Sequence, residues 1–566
     1  MKTAFLNLAL LTLFLFCCAP EDISIADGST QMDALPDAGD AESDGTAPSR
    51  FSVDLFDGEI VVSLGDRHLA RLLRVEFDTF TPVVEMLLGF FEHIAEGTST
   101  VSLTFGAPTA DGRIPLLLAG MERGSMSWEG HGSSRIEVRI DLSAELEADS
   151  VRLCFAAPDG SAYWGFGEQY NITDFQGHVV PIWVQEQGVG RAEEPPLPMI
   201  GELTDTYFPV PWFLDPVHGR GFLLQDTEYS LFDLEATTPG VWTVEVWRGG
   251  GATFSLYPGP TPRDLITQLT GHLGRPARRP PDWAFSGLWL AAQGGTAVVT
   301  QKVETVLGAG AAITAVWSQD WIGQKDFGFG NLGVKYHWTH DPEHYPGLED
   351  LIADLEPRGV RFLGYFNPFV LPEYEQWDEA VAGGYLIKDI ADQPYLFPMI
   401  NNEWSLPDLT RDAAGEWFKG YARAATAMGQ RGWMADFGEY LPVDARLAEG
   451  EAPSLHNLYP TDWHRLNREV LEEAYPDGDY VLLTRSGFTG EHRVAQVVWA
   501  GDQEADWTET DGFPTVPRAL LSLGLSGIPY ATHDVGGFSG GPRTRELMLR
   551  WIEAGAFTPV MRTHEG

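Results

Sequence analysis

Two aspartates that each follow a short apolar run are the residues of this sequence best placed to do chemistry. Asp436 follows the apolar residues 433–435, and Gly438 and Pro442 prevent that run from continuing; Asp502 follows the apolar residues 497–500, a run that Gly501 breaks just before the acid. Taken singly, each is explained as well by a helix cap or an acidic turn. As a pair at the ends of two strands of one sheet, they are the minimal apparatus for cleaving an acetal.

Such a reaction needs one carboxylate that attacks the anomeric carbon and one protonated carboxyl group that helps the leaving oxygen depart. Arg485 is expected near Asp436 and would favour its ionised form. The apolar surroundings of Trp499 and Trp507 would favour a protonated Asp502. We therefore predict Asp436 as the nucleophile and Asp502 as the general acid/base.

Other polar residues also end apolar runs in this part of the chain. Polar groups at the ends of buried strands cost free energy unless they are paired, so a set of them indicates an active site or, as the alternative, a binding-only site. Glu439 is a rival for either catalytic role, and His533 could donate to a sugar hydroxyl. The set is Gln293, Gln319, Asp320, Asn367, Asp436, Glu439, Arg485, Asp502, His533, Asp534, Arg562 and His564.

Three other chemistries find little support. No histidine pair has the i, i+4 spacing and supporting Glu of a zinc motif, so no metal or other cofactor is predicted. Ser486 is not framed as Gly-x-Ser-x-Gly, which argues against a serine hydrolase. The Asp-Phe-Gly at residues 436–438 lacks the phosphate loop and His-Arg-Asp stretch of a kinase.

The second half of the chain alternates helical stretches with apolar runs, a pattern typical of βα units and a parallel sheet. Eight such runs end near residues 289–293, 316–320, 364–367, 433–436, 482–485, 497–502, 528–534 and 560–562. Eight parallel strands close a (β/α)8 TIM barrel with its catalytic residues at their carboxyl ends. We predict an α/β fold with this catalytic barrel at residues 263–566, C-terminally incomplete because the covering helix of the eighth strand is missing.

The first half has a different organisation. Residues 51–262 show short alternating runs between turn residues, which predicts an N-terminal antiparallel β-sandwich. Residues 1–18 indicate a signal peptide, with lipoprotein processing at Cys17 or Cys18 as the alternative to simple secretion, and residues 19–50 a disordered linker. We expect export to the periplasm or cell surface, with a possible lipid tether. With Cys154 as the third cysteine, a disulfide framework is excluded.

The formal net charge of −44 argues against nucleic acid and anionic membranes as partners, because both repel an acidic surface. The 19 Trp and 31 Phe provide aromatic surface that matches the apolar face of a pyranose, although most must lie in cores. Composition alone says little about the substrate beyond favouring a neutral or locally compensated ligand; a carbohydrate or glycolipid-derived substrate is predicted from the carboxylate pair and from the resemblance given next.

Five motifs occur in the order found in glycoside hydrolase family 31, whose pattern this sequence resembles. They lie at residues 433–439, 483–487, 499–502, 533–538 and 557–566. The resemblance implies a retaining α-glycosidase with Asp436 as nucleophile and Asp502 as general acid/base. With the residues above, it predicts substrate-binding positions at Gln293, Gln319, Asp320, Trp433, Glu439, Arg485, Trp499, His533 and Asp534.

Within the family the sequence is most similar to the sulfoquinovosidase branch, on residues 182–191, 293–296, 317–321 and 433–442. That branch grips its sulfonate with an Arg and a Trp three residues apart. The corresponding stretch here, residues 329–338, has no Arg but offers Lys335, Tyr336 or His337. The predicted substrate is therefore an α-glucoside or a sulfoquinovoside. A non-catalytic surface sugar-binding protein and a family 31 transglycosylase or lyase are the alternatives.

Overall fold

The computed structural model of the protein describes residues 50–187, 202–326, 332–399 and 402–565. The predicted signal peptide and, apart from Arg50, the predicted linker lie outside the described residues. Among the helices of the described part, none has the length and apolar character that crossing a bilayer requires.

Residues 51–258 form antiparallel β-structure because their apolar residues alternate with polar ones, as half-buried strands require. In Val241–Val246, for example, every second residue is buried. The strands are β1 (Phe51–Phe56), β2 (Glu59–Leu64), β3 (Arg67–Leu87), β4 (Phe90–Phe105), β5 (Ile114–Leu118), β6 (Met121–His131), β7 (Arg135–Leu142), β8 (Ser150–Ala156), β9 (Trp164–Gly165), β10 (Val179–Ile182), β11 (Trp212–Asp215), β12 (Arg220–Leu224), β13 (Ser230–Leu234), β14 (Val241–Val246) and β15 (Gly251–Pro258).

These strands make two sheets that share one apolar core. β1, β2, β3, β8, β14, β13 and β10 form the first sheet, and β5, β6, β7, β15, β12, β11 and β9 form the second. β4 pairs with β3 of the first sheet and with β5 of the second, and so joins them. Stacked rings from both sheets, such as Phe155 on Trp242 and Phe222 on Phe254, fill the space between. The predicted N-terminal antiparallel β-structure is confirmed.

The long hairpin β3–β4 carries its turn to the barrel. Gly89 in this turn has φ +83°, and a Cβ there would lie 2.6 Å from the Cζ of Tyr440. Glycine thus permits the turn to lie against the loop that follows a barrel strand. The Tyr440 hydroxyl oxygen lies 3.1 Å from the backbone oxygen of Leu88, at the point where the turn meets the loop.

The rest of the described chain contains the barrel. Its strands, with two small hairpins, are β16 (Leu288–Ala291), β17 (Ile313–Trp317), β18 (Gln324–Asp326), β19 (Leu332–Val334), β20 (Arg361–Phe366), β21 (Phe397–Pro398), β22 (Glu403–Trp404), β23 (Gly432–Ala435), β24 (Val481–Thr484), β25 (Val497–Trp499), β26 (Ala531–Thr532), β27 (Asp534–Val535) and β28 (Met561–Thr563). The helices are α1 (Pro262–Leu273), α2 (Thr296–Gly308), α3 (Leu348–Leu355), α4 (Glu375–Gly383), α5 (Asp412–Ala427), α6 (Ala452–Leu455), α7 (Tyr459–Ala474), α8 (Thr515–Leu525) and α9 (Arg545–Gly555).

The barrel sheet is parallel throughout and runs β26-β25-β24-β23-β20-β17-β16-β28-β27. β26 and β27 are separated only by His533, so together they occupy one strand position. β26 pairs with β25 and β27 pairs with β28, which closes the sheet on itself. Every one of the eight apolar runs identified in the sequence is a strand of this sheet, and the predicted TIM barrel is confirmed.

The loops of the two halves meet at the mouth of the barrel. His456 has one ring nitrogen 2.6 Å from the oxygen of Leu441 and the other 2.7 Å from the oxygen of Val184. The amide of Val184 donates to the Oδ1 of Asn457 at 2.8 Å. These bonds bring the segment after β10 next to the loop after β23.

Candidate active site

Asp436 lies directly after β23, at the carboxyl end of the barrel. Side chains alternate along a strand, so Asp436 shares a face with Met434 and not with Trp433. Its amide donates to the oxygen of Phe366 on β20 at 2.8 Å, which holds the start of the loop against the neighbouring strand. Phe437 then takes φ +62°, a strained value for a bulky residue that turns the chain sharply after the carboxylate.

The carboxylate of Asp436 is buried but well supplied with donors. Oδ2 accepts from the Tyr365 hydroxyl at 2.7 Å, and Oδ1 accepts from the Phe437 amide at 3.0 Å. The Nε of Arg485 lies 3.3 Å from Oδ1. The pKa of Asp436 lies above its ordinary value, because burial and the charge of Glu186 raise it more than Arg485, Tyr365 and the amide of Phe437 lower it. Asp436 therefore has the partners that a buried ionised carboxylate needs.

Asp502, after β25, has the opposite environment. Its Oδ1 is buried with no hydrogen-bond partner among the described residues. Burial raises the pKa of Asp502 well above its usual range; Arg485 opposes this, and the charges of Asp534, Glu186 and Asp436 add to it. Trp507, which the sequence suggested as an apolar neighbour, is 48% exposed and packs on Phe513 instead.

Arg485, after β24, joins the groups around Asp436. Its guanidinium contacts Glu439, lies 3.0 Å from the Oε2 of Glu186, and lies 3.3 Å from Asp436. It also lies 4.0 Å from the ring centroid of Phe437. Arg485 is thus fixed by charge and by ring stacking, and the pKa of its guanidinium is raised by the surrounding carboxylates.

A second buried ion pair lies at the ends of the last strands. Arg562 on β28 contacts the Oδ1 of Asp534, and its guanidinium lies 4.7 Å from the ring of Trp317 and 5.4 Å from that of Trp499. The ring of His564 lies 5.1 Å from Trp317. Burial raises the pKa of Asp534 to about 6 and lowers that of His564 well below its usual range, so the imidazole is neutral.

Many buried polar atoms around these two ion pairs have no partner among the described residues. Buried polar groups in proteins are normally hydrogen-bonded, so a cluster of unsatisfied donors and acceptors indicates where a polar ligand binds. Such a mixed set suits the hydroxyl groups of a sugar, which both donate and accept. The atoms are Trp317 Nε1, Asn367 Nδ2, Glu439 Oε2, Thr484 Oγ1, Trp499 Nε1, Asp502 Oδ1, Asp534 Oδ2, Arg562 Nη1 and His564 Nδ1.

The structure places Gln293 and Gln319 together, next to the last strand. The Nε2 of Gln293 lies 3.5 Å from the Oε1 of Gln319 and donates to the oxygen of Glu565 at 2.8 Å. Lys302 pairs with the Glu565 carboxylate at 2.6 Å. The two amides are half-buried and keep capacity for further hydrogen bonds.

Asp320, also predicted to bind substrate, makes its hydrogen bonds to other residues of the protein. Its Oδ2 accepts from Gly294 N at 2.9 Å, from Gln324 Nε2 at 2.9 Å and from His344 Nε2 at 2.6 Å. Its Oδ1 accepts from Ser318 at 3.1 Å and contacts the Tyr345 hydroxyl. Both oxygens are occupied, so Asp320 organises the loops around it.

Trp433 and His533 are not brought to the cluster of unsatisfied atoms. The indole of Trp433 donates to Asn467 of α7 at 2.8 Å, on the outer side of the barrel wall. The Nδ1 of His533 accepts from Trp551 of α9 at 2.9 Å, and its Nε2 lies 3.5 Å from Thr558. Burial lowers the pKa of His533 to about 3, so the ring is neutral. Both residues face the helix layer. Trp433 lies three positions before the inward-facing Asp436, and His533 lies one position before the inward-facing Asp534, so in each pair the two side chains point to opposite faces of the sheet.

Residues 329–338 correspond to the stretch that holds the sulfonate in the sulfoquinovosidase branch. The structure describes this stretch from residue 332 onward. Residues 329–331 lie outside the described residues, as do residues 188–191 of the motif at residues 182–191. Lys335 pairs with Asp341 at 2.6 Å. His337 contacts the oxygen of Ile322 and lies 2.8 Å from the hydroxyl of Thr339. Tyr336 lies near both predicted catalytic residues: burial raises the pKa of its hydroxyl, and the charges of Asp436 and Asp502 add to the rise.

Two residues next to Asp436 and Arg485 were missed by the sequence analysis. Tyr365 lies two positions before Asn367 on the same strand, so the strand pattern could have placed both on one face. Glu186 comes from the segment after β10, and no local pattern connects it to the barrel. In the part of the chain that the structure describes, no group of three or more His, Cys, Asp or Glu residues is arranged to hold a metal ion.

Known proteins share this arrangement of the chain. Residues 277–566 match the description "Glycosyl hydrolases family 31 TIM-barrel domain". A sulfoquinovosidase of Escherichia coli (strain K12) is 35% identical over 78% of this chain and 66% of its own length. A sulfoquinovosidase of Agrobacterium fabrum (strain C58) is 33% identical over 71% of this chain and 62% of its own length. The chain thus spans somewhat less than two thirds of either relative.

A solved structure gives the same result for the fold. The structure of a GH31 family sulfoquinovosidase from E. rectale, in complex with an aza-sugar inhibitor, matches with a TM-score of 0.84 at 27% identity. The match covers 91% of this chain and 79% of that one, and so includes both the sandwich and the barrel.

Proposed function

Because the chain belongs to glycosyl hydrolase family 31, we propose that it is a retaining, exo-acting α-glycosidase that releases a terminal α-linked hexose by double displacement. The observation that carries this proposal is the contrast between two buried carboxyl groups. Asp436 accepts two hydrogen bonds and lies next to the guanidinium of Arg485. The Oδ1 of Asp502, in contrast, has no hydrogen-bond partner among the described residues, and several carboxylates lie near it. One is suited to act ionised and the other protonated.

In the first step, the ionised Asp436 attacks C1 of the sugar, and Asp502 gives its proton to the glycosidic oxygen as the C1–O bond breaks. Asp436 and C1 are then joined by an ester bond. Asp502, now ionised, takes a proton from water as the water oxygen attacks C1 and releases Asp436. Two inversions return the original configuration at the anomeric carbon. The roles need no cofactor.

The cluster of unsatisfied buried atoms supports exo action. The rings of Trp317 and Trp499 both pack on Arg562 at the strand ends, and the Nε1 of each indole and the Nη1 of Arg562 have no partner among the described residues. We infer that these atoms bind a single terminal sugar ring.

Two sugars remain as candidates, each with its own support. The relatives named above are sulfoquinovosidases, which supports a sulfoquinovoside. The engagement of Lys335 with Asp341 favours an unsubstituted α-glucoside, because a cation already paired at 2.6 Å offers less to a sulfonate.

The parent protein and Asp436→Asn are to be incubated with an aryl α-glucoside and an aryl α-sulfoquinovoside, and the released sugar followed by NMR. Turnover by the parent alone, with α-sugar formed first, supports the proposal and identifies the preferred sugar. Binding without turnover by the parent would favour the surface sugar-binding alternative. Transfer of the glycosyl group to added alcohol, or an unsaturated product, would favour the transglycosylase or lyase alternative.

For the N-terminal residues we propose export, with lipid attachment at Cys17 or Cys18 as the means of tethering the enzyme to a membrane. The sequence of residues 1–18 supports this. Metabolic labelling with a palmitate analogue tests it: label on the parent and none on a variant with both cysteines replaced by Ser is expected. An unlabelled parent would contradict lipid attachment and leave simple secretion.

A further inference from the structure

Glu186 is the acidic residue that the sandwich half of the chain contributes to the active site. It follows β10, and its Oε2 lies 3.0 Å from the Nη2 of Arg485. Its backbone amide donates to the oxygen of Gly89, in the β3–β4 turn, at 2.9 Å. The mechanism proposed above assigns it no role.

The carboxylate of Glu186 is held in place by two tyrosines. Its Oε1 accepts from the Tyr207 hydroxyl at 2.8 Å, and its Oε2 accepts from the Tyr440 hydroxyl at 3.0 Å. The Tyr440 hydroxyl oxygen also lies 3.1 Å from the backbone oxygen of Leu88 in the β3–β4 turn. Glu186 is therefore fixed from both halves of the protein, which is more support than an incidental surface carboxylate receives.

Arg485 is the point at which Glu186 meets the catalytic groups. The single guanidinium serves Asp436, Glu186 and Glu439 together. The negative charge of Glu186 partly offsets, at Asp436, the positive potential of Arg485. The charge of Glu186 also reaches Asp502, on the other side of the cluster.

We propose that Glu186 is a positioning residue that holds Arg485 partly away from the nucleophile. In this way Glu186 sets the pH range in which the two catalytic aspartates work. This inference rests on the proposed function. The charged and titratable groups facing this cluster are Arg485 after β24, Asp436, Glu439 and Tyr440 after β23, Tyr365 on β20, Tyr207, Tyr336, Asp502 after β25, Asp534 on β27 and Arg562 on β28.

The expected direction follows from the sign of the charge. Glu186 is negative and raises the pKa of both Asp436 and Asp502. When it is neutral, Asp436 ionises at lower pH, and Asp502 also loses its proton at lower pH. Asp436 must be ionised and Asp502 protonated, so both limbs of the kcat/KM profile move in the same direction. A shift of about half a pH unit or more toward acid is expected for a charge this close.

The test compares the full-length parent with Glu186→Gln, which keeps the size and most hydrogen bonds of the side chain but removes its charge. kcat/KM for an activated aryl α-glycoside is measured from pH 3.5 to 9. Glu186→Asp retains the charge and should leave both limbs close to those of the parent. Glu129→Gln, at an exposed position of β6, is the matched control and should change nothing. Glu186→Ala must show the same displacement as Glu186→Gln.

A lower kcat/KM at every pH, with both limbs in place, would overturn the inference, because it would show that Glu186 serves packing alone. Movement of the limbs toward alkali would overturn it as well. In both cases a parent that still turns over the substrate leaves the proposed function standing. A parent that turns over neither aryl α-glycoside overturns the proposed function, and this inference falls with it.

Discussion

The hydroxyl of Tyr365 is expected to set the acidic limit of activity, because it donates directly to the proposed nucleophile. The bond to Asp436 Oδ2 is 2.7 Å long and buried. The pKa of Tyr365 is raised well above its ordinary value by burial and by the charge of Asp436, so the hydroxyl stays a donor at every working pH. Tyr365→Phe removes this donor and little else.

The size of the effect follows from the kind of bond that is lost. A hydrogen bond to a charged group contributes about 1.5–3 kcal/mol. One pKa unit corresponds to about 1.4 kcal/mol, so the pKa of Asp436 should rise by about one to two units in the variant. Because Asp436 must be ionised to attack, the acidic limb of the kcat/KM profile should move up by the same amount, about one to two pH units. Above that limb, where Asp436 is ionised in both proteins, the loss should be smaller.

The measurement is kcat/KM against pH with an activated aryl α-glycoside. Tyr163→Phe is the matched control, since Tyr163 is also buried and donates to a carboxylate, Glu235, at 3.1 Å within the sandwich. It should leave the limb unchanged. An acidic limb that stays in place or moves to lower pH in Tyr365→Phe would refute the reasoning, as would an equal shift in Tyr163→Phe.

Three further substitutions test the roles of single residues. Asp502→Ala should lose about 10²–10⁴-fold in kcat/KM for substrates with a poor leaving group; added azide should restore turnover and give an α-glycosyl azide, and a variant without this rescue would contradict the acid/base role. Trp433→Phe should leave KM within about twofold and lower stability by about 1–3 kcal/mol through loss of the bond to Asn467; a tenfold rise in KM with unchanged denaturant unfolding would restore Trp433 as a sugar contact. Asp320→Asn should cost about 3 kcal/mol or more of unfolding free energy, because an amide cannot accept from all the donors around it; a variant as stable as the parent, with raised KM, would show instead that Asp320 binds substrate.

The barrel was predictable because its signal is local. Each strand is a short apolar run, and the residue that ends it is polar, so counting such runs located all eight strand positions. The interruption at His533 was not visible, since nothing in Ala531-Thr532-His533-Asp534-Val535 distinguishes two short strands from the end of one. The interruption depends on tertiary structure, because β26 pairs with β25 and β27 pairs with β28.

The candidate site was predicted only in part, for two different reasons. For Trp433 and His533 the information was present: a residue one or three positions from an inward-facing aspartate on the same strand faces outward. Motif matching ignores this alternation. For Glu186 the sequence marked only the segment, since it lies within residues 182–191, one of the stretches that carry the resemblance; its contact with Arg485 depends on how the sandwich segment docks on the barrel.

The balance of charge in the site explains why Asp502, and not another acid, should carry the proton. Asp436, Glu186 and Glu439 surround Arg485, and Asp534 pairs with Arg562. These four carboxyl groups already outnumber the two guanidinium groups, and Asp502 adds a fifth, so full ionisation of all of them in a buried site is costly. The proton therefore goes to the acid with the fewest donors, which is Asp502. The remaining negative charge favours the positive charge that develops at the anomeric carbon, and it acts against an anionic substrate unless a cation outside this cluster compensates for it.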